Sequence, residues 1–373
     1  MVDGNRLALL VEGHQRLKAL IDLIDGAKSS LRLLYYIYSE DQTGGQVRDA
    51  MARALDRGVK VSLIVDGFGS SAGPAFFAPL ERKGADVCRF LPRFGRRYLL
   101  RNHQKLALAD ETIAIVGGFN VEDDYFDDQK GWRDLGIRVE GPAAKRLVGY
   151  FDALARWTHQ PRARLRNLRR ALSRWSNPKS GHACWLLGGP TRRLNPWARA
   201  LRRDLSGAMR LDLIAAYFAP TPRMMRAIES VARRRGQTRV IAPSKTDHEV
   251  AIAAARHTYH RLLSRGVHVF EYQRLKLHTK LFVIDDIVHI GSANFDVRSL
   301  FLNLEIMLRI EDRAFADHMR AYVEGEIADS RQIRRATHEH AGWITRMRWA
   351  LAYYLMAVVD ASVTRRLSFG VDR

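Results

Sequence analysis

The sequence predicts an α/β protein built from two tandem copies of one domain. Three observations predict it: a motif that occurs twice, helix-like and strand-like patterns that alternate along both halves, and punctuation residues that recur at a nearly constant interval. The motif reads NHQKLALADETIAIVGGFN from Asn102 to Asn120 and LHTKLFVIDDIVHIGSANF from Leu277 to Phe295. Both copies spell H-x-K-x-x-x-x-D followed by G-[GS]-x-N. Pairing Leu31 with Leu211, Gly58 with Gly236, Gly84 with Gly266, His103 with His278 and Asn120 with Asn294 gives offsets between 174 and 182 residues. A short motif recurring by chance would not carry its flanking helices and strands along. At 373 residues and 47% hydrophobic content the chain is long and apolar enough for two cores.

Taken in order, Leu17, Leu20, Ile21 and Ile24 recur at helical spacing and Gly26 ends that helix. LRLLYYIY follows as a buried strand. Gly44 and Gly45 precede a helical run through Leu55, Gly58 ends it, and VKVSLIVD from Val59 to Asp66 is the next strand. A Gly/Ser/Pro loop from Phe68 to Pro74, a short helix, Gly84 and a strand around Val87 lead to the first motif, and LGIRVEG closes the unit after Trp132. The second half repeats this order. The expected divisions are a first domain over 1–160, a basic linker over 161–190, a second domain over 191–330 and a basic amphipathic tail over 331–373.

The formal net charge of +21, with a pI near 10.4, calls for a polyanionic partner, either nucleic acid or an anionic membrane face. The two cysteines, Cys88 and Cys184, exclude a disulfide framework and a cysteine-built zinc site, and suit a reducing compartment. No run of about 18 apolar residues is present, so the chain is expected not to span a membrane. Three basic stretches carry apolar side chains. In the linker, Leu165, Leu168, Leu172 and Trp175 form a stripe among arginines, read either as a connector resting on a domain or as a membrane-surface helix. PRFGRRYLLRN, with Arg93, Arg96, Arg97 and Arg101, runs up to His103 and suits a phosphate bearing apolar tails. The tail sets Trp343, Trp349, Tyr353 and Tyr354 between Arg346, Arg348, Arg365 and Arg366, and either docks on the second domain or lies in a headgroup layer.

In a strand, side chains alternate faces, so His103 projects with Lys105 and His278 with Lys280, while Gln104 and Thr279 point away. A neutral imidazole is a competent nucleophile toward phosphorus, and a second one can protonate the departing oxygen and then activate the incoming one. Lys105, Lys280, Asn120 and Asn294 are expected to converge on the phosphate as donors to its developing charge. The small residues of the Gly117–Gly118 and Gly291–Ser292 pairs allow close backbone approach to a ligand. Asp110 and Asp285 are poorly placed to hold a metal alone; each either orients a His or Lys of the partner strand or occupies its turn. Six residues separate Asp110 from Gly117 and five separate Asp285 from Gly291.

These motifs resemble those of the phospholipase D superfamily, over nearly all of residues 1–330, and within it most resemble bacterial cardiolipin synthases. The narrower resemblance rests on GSANFDVRSLFLNLEIML, with Asp296, Arg298, Ser299, Asn303 and Glu305, and on GGFN followed by WRDLGIRVEGP. The resemblance implies two α/β/α sandwich domains related by a pseudo-twofold axis, with one metal-independent, cofactor-free site at their interface. It assigns catalysis to His103, Lys105, Asp110, His278, Lys280 and Asp285. It assigns substrate contacts to Asn120, Asn294, Gly118, Ser292, Arg298 and Glu305. It implies phosphatidyl transfer from phosphatidylglycerol to a second phospholipid through a phosphatidyl-histidine, by a peripheral protein of a bacterial cell membrane at its cytoplasmic side. Relatives often begin with two membrane-spanning helices, and this sequence resembles the branch without them. The competing readings are hydrolysis of phospholipid, a nuclease of the same superfamily, or a lipid-binding scaffold. The apolar content of the Arg93 to Leu100 run and of the tail argues against nucleic acid as the partner.

Overall fold

The structure, a computed structural model, describes residues 1–90, 100–160, 164–176, 181–191, 194–336 and 341–359. The first sheet comprises β1 (Arg6–Leu10), β2 (Ser30–Tyr35), β3 (Lys60–Asp66), β4 (Asp86–Phe90), β5 (Leu106–Ala109), β6 (Ile113–Gly117) and β8 (Gly136–Glu140), in the spatial order β1-β8-β6-β5-β2-β3-β4. The short strand β7 (Trp132–Arg133) stands apart from it. The second sheet comprises β9 (Ala183–Gly188), β10 (Arg210–Ala215), β11 (Gln237–Pro243), β12 (His268–Tyr272), β14 (Lys280–Ile284), β15 (Ile287–Gly291), β16 (Glu305–Glu311) and β17 (Ser330–Ile333). Its order is β17-β12-β11-β10-β14-β15-β16-β9. Apart from β17 the two orders superimpose strand for strand, which is the duplication seen in topology.

Apolar runs such as SLRLLY and KLFVI are buried along both faces, as expected of strands covered on two sides. On the outer face of the first sheet lie α1 (Gly13–Gly26), α2 (Gln42–Asp56) and α3 (Pro74–Arg82). Helices α6 (Pro196–Leu205), α7 (Pro222–Arg233) and α8 (Glu249–Leu263) cover the outer face of the second. The inner faces share one core, in which Leu106, Val116 and Ile137 meet Leu281, Val283 and Ile290 beneath α4 (Pro142–His159) and α10 (Arg313–Ala328). The two domains are thus packed through a continuous apolar layer rather than tethered.

Two expected boundaries move. ACWLLG, placed in the linker by sequence, is β9, pairing antiparallel with β16 as β1 pairs with β8. SRQI, placed in the tail, is β17, pairing with the edge of β12. Both are outer strands whose partners are distant in sequence. Within the linker, α5 (Leu165–Trp175) buries Leu165, Leu168 and Leu172 in the central core, so the stripe serves as a connector's packing face and not as a membrane face. The basic stretch from Pro92 to Leu99, together with Arg365 and Arg366, lies outside the described residues.

Candidate active site

Each motif histidine is stitched by backbone bonds to the other domain. The His103 amide donates to the Leu304 carbonyl at 3.0 Å, and the Leu304 amide donates to the Arg101 carbonyl at 2.9 Å. Symmetrically, the His278 amide donates to the Arg133 carbonyl at 2.7 Å, beside a parallel pairing of β7 with β13 (Lys276–Leu277). Leu304 and Arg133 each precede a carboxylate, so these bonds deliver an acid across the interface. Glu305 meets His103 Nδ1 at 3.1 Å, and Asp134 meets His278 Nδ1 at 2.6 Å. With each Nδ1 proton donated to a carboxylate, the lone pair is left on Nε2, which has no protein partner among the described residues.

The residues expected to touch substrate through the G-[GS] pair serve these acids instead. A Cβ on Gly118 would stand 2.4 Å from Asp134 Oδ1, so only glycine leaves room for that carboxylate. At the equivalent place Ser292 donates its hydroxyl to Glu305 at 2.5 Å, and Ser299 donates to the other carboxylate oxygen at 2.7 Å. Glu305, expected among substrate contacts, is fully buried at 0% exposure and spends its oxygens on His103 and two serine hydroxyls. Asp134, equally buried, was not singled out by sequence. The repeat carries its signal: Asp134-x-x-x-Arg138-x-Glu140 recurs as Glu305-x-x-x-Arg309-x-Glu311. Two further groups brace the histidine loops. Asp66 accepts the Asn102 amide at 2.8 Å. The buried Arg16 guanidinium donates to the carbonyls of Asp134 at 2.7 Å and Tyr125 at 2.7 Å.

Asp110 and Asp285 hold turns. Asp110 sits at φ 49° between β5 and β6, and its carboxylate accepts from the amides of Lys28, Ser29 and Ser30 at 2.8–3.0 Å. Asp285, at φ 45°, accepts from the amides of Met209 and Arg210. These contacts hold the Asp110 carboxyl below its ordinary range, although burial works in the opposite direction. Among the described residues neither carboxylate touches an imidazole or a motif lysine; of the two expected roles, the contacts are those of the turn. The unequal spacing after the two aspartates also finds its cause: residues 110–112 connect β5 to β6, whereas 285–286 suffice between β14 and β15.

Lys105 and Lys280 are buried beside their histidines, where the expected strand alternation puts them, although β5 begins only at Leu106 and β14 only at Lys280. Lys105 Nζ donates to the His103 carbonyl at 2.6 Å and lies 5.2 Å from the Tyr36 ring centroid. Lys280 Nζ donates to the His278 carbonyl and lies 2.8 Å from His278 Nδ1. Burial, helped by the Lys280 charge, pushes Lys105 down to about 7; burial pushes Lys280 down to about 8. Burial and then the Lys280 charge push His278 down to about 3, and burial lowers His103, so both imidazoles of the empty site are neutral at neutral pH. Burial alone would raise the Asp134 carboxyl, but Lys280 and His278 hold it below its ordinary range. Lys280 acts on His103 and Lys105 acts on His278, so the two sets lie within each other's field. Tyr36 packs on the His103 ring at 5.0 Å, and Tyr125 and Trp132 pack on that of His278 at 5.2 and 5.3 Å.

The asparagines are not equivalent. Asn120 Oδ1 accepts from the Ile37 amide at 3.0 Å, whereas Asn294 Oδ1 is buried without a partner among the described residues. The charge of Arg298, in α9 (Val297–Phe301), reaches Tyr36 and so acts on the His103 side of the site.

Comparison with known proteins places these features in a family. Residues 20–155 and 201–327 match the family described as "Cardiolipin synthase, PLD-like domain". The chain is 30% identical over 372 residues to cardiolipin synthase B of Salmonella typhimurium, covering 97% of this chain and 90% of that protein. It is 30% identical to cardiolipin synthase A of Pseudomonas entomophila, over 88% of this chain and 70% of that one. Among solved structures, a phosphatidylserine synthase of Haemophilus influenzae matches with a TM-score of 0.74 at 13% identity, covering 96% and 95% of the two chains; this likeness concerns the fold.

Proposed function

Because the chain belongs to the cardiolipin synthase family of phospholipase D-like proteins, we propose that it moves a phosphatidyl group from phosphatidylglycerol to a second phospholipid through a phosphatidyl-histidine intermediate. The observation that carries this reading is the paired cradle: two neutral imidazoles, each with Nδ1 committed to a carboxylate of the opposite domain, flanked by two buried lysines. His103 Nε2 attacks the donor's phosphorus while His278 Nε2–H gives its proton to the departing glycerol oxygen. The acceptor's hydroxyl then returns a proton to His278, and its oxygen displaces His103 from phosphorus, restoring both rings. His278 is given the acid/base role on the shorter carboxylate contact, Asp134 at 2.6 Å against Glu305 at 3.1 Å with two serines also engaged; burial and the Lys280 charge oppose its charging until substrate is bound. The proton is gained once the phosphodiester's charge offsets the burial and the two ammonium groups that hold His278 neutral in the free protein.

Lys105 and Lys280 neutralise charge that gathers on the phosphoryl oxygens, and Asn294 Oδ1 offers an unoccupied acceptor to a hydroxyl. The reaction takes place at a lipid surface, where both substrates reside; among the described residues no helix is long and apolar enough to cross a membrane. The test supplies phosphatidylglycerol vesicles to wild type, His103→Ala and His278→Ala, and separates the lipid products. Cardiolipin and glycerol from wild type alone are expected. Phosphatidic acid as the sole product would make the protein a hydrolase, and turnover by either variant equal to wild type would remove that histidine's role.

A further inference from the structure

We infer that the helix from Trp343 to Tyr354, here α11, seats the protein on an anionic phospholipid bilayer, its outer face in the headgroup layer beside the mouth of the active site; this rests on the reading that the substrates are phospholipids. The helix is docked along one side only. Ala352 packs with Ala219 and Ala254, the Tyr353 hydroxyl donates to the Pro220 carbonyl at 2.8 Å, and the Tyr353 ring lies 4.9 Å from that of His257 on α8. The opposite side carries Trp343, Ile344, Met347, Leu351, Tyr354 and Leu355, each between 47% and 71% exposed. Their spacing of three, four and eight residues gathers them into one stripe. Of the ten large apolar side chains that the described residues expose, five thus lie on this short helix and a sixth, Leu355, directly follows it, a concentration that marks an interaction face and not scattered surface apolarity.

Charge selects the occupant. Arg346 and Arg348 are exposed within the stripe's span, and residues 341–359 contain no Asp or Glu. Indole and phenol rings beside arginines are the composition that settles at the boundary between headgroups and acyl chains, and the positive balance favours an anionic one. Position gives the contact a purpose. A groove between α8 and α11 is lined by Ser244, Glu249 and Val250 on one side and Leu351 and Leu355 on the other, with Val250 itself 52% exposed. The neighbouring residue Asp247 bonds the Tyr217 hydroxyl at 3.2 Å, and its charge reaches Lys280 of the site. The end of the stripe at Leu351 and Leu355 therefore adjoins the loop that borders the catalytic lysine. A bilayer engaged there presents phosphodiesters to the site without full extraction of the acyl chains.

The experiment compares the full chain with the triple variant Trp343→Ser, Met347→Ser, Leu351→Ser. Binding to vesicles of equal phosphatidylglycerol and phosphatidylcholine is measured by co-sedimentation, alongside turnover of vesicle lipid and of a short-chain phosphatidylglycerol dissolved as monomers. Vesicle binding and vesicle turnover are expected to fall about tenfold or more while monomer turnover is retained. Arg346→Ala with Arg348→Ala is expected to weaken binding at low salt and to flatten its salt dependence. Unchanged vesicle binding by the triple variant would overturn the inference. So would a dimer of the wild type that the variant dissociates, since the stripe would then join two copies, or an equal loss on vesicles and monomers, which indicates a packing role. Wild type that binds vesicles through the stripe yet transfers no phosphatidyl group would sink the proposed reaction and leave the docking face standing.

Discussion

His278 and His103 occupy equivalent places in the two domains, yet the carboxylates holding them differ. Asp134 reaches His278 at 2.6 Å in space that Gly118 leaves open, whereas Glu305, one methylene longer, reaches His103 at 3.1 Å and also takes the hydroxyls of Ser292 and Ser299. The difference teaches how a duplicated site divides its labour. A carboxylate shared between one imidazole and the Leu135 backbone amide stabilises that ring when it is charged. One whose charge is spread over two hydroxyls mainly fixes the tautomer, leaving a neutral nucleophile.

The largest expected effect breaks this comparison directly. Asp134→Asn should cost about 10²-fold in turnover and Glu305→Gln about tenfold, since outer contacts to a working histidine contribute that range. Steady-state rates on phosphatidylglycerol vesicles decide it, and a larger loss from Glu305→Gln would exchange the two roles. Gly118→Ala should fall by about tenfold with its fold retained, because the added methyl displaces Asp134; the matching change Ser292→Ala should cost less. Circular dichroism together with rates checks both.

A titration sharpens what the two lysines share. In the free protein Lys105 and Lys280 lose their protons at about 7 and about 8, so the charge that attracts a phosphodiester is complete below these values and lost as pH rises through them. The alkaline limb of kcat/KM should therefore fall across that window. A bound anion raises both lysines, so the limb of kcat should lie at higher pH. Coincident limbs would contradict a bound anion that supports the two ammonium groups. The smallest catalytic effect is expected at the aspartates. Asp110→Ala and Asp285→Ala should each lower stability by about 1–3 kcal/mol through lost bonds to backbone amides, while turnover of the folded fraction is little changed. Chemical denaturation and active-site-normalised rates measure the two separately.

Much of this molecule was legible in its sequence. Period-two patterning put His103 with Lys105 and His278 with Lys280, and constant offsets along the chain announced the doubled α/β order that the two sheets display. The acids were harder to read because their contacts span 144 and 202 positions and cross the domain interface, where no local pattern reaches. Glu305 reads from the sequence as a substrate contact and Asp134 has no local signal, although the acid-x-x-x-Arg-x-Glu repeat links them. Strands β9 and β17 were missed for a related reason: each is an outer strand whose identity depends on a partner far away in the chain.

The measurement that tests the central claim most directly is capture of the covalent intermediate. Wild type is mixed with phosphatidylglycerol, quenched in alkali during turnover to preserve a phosphorus–nitrogen bond, digested and examined by mass spectrometry. A phosphatidyl group on His103 is predicted, with none on the same peptide from His103→Ala. A phosphatidyl group found on His278 in the His103→Ala protein, with His103 never modified, would contradict the assignment of nucleophile and acid.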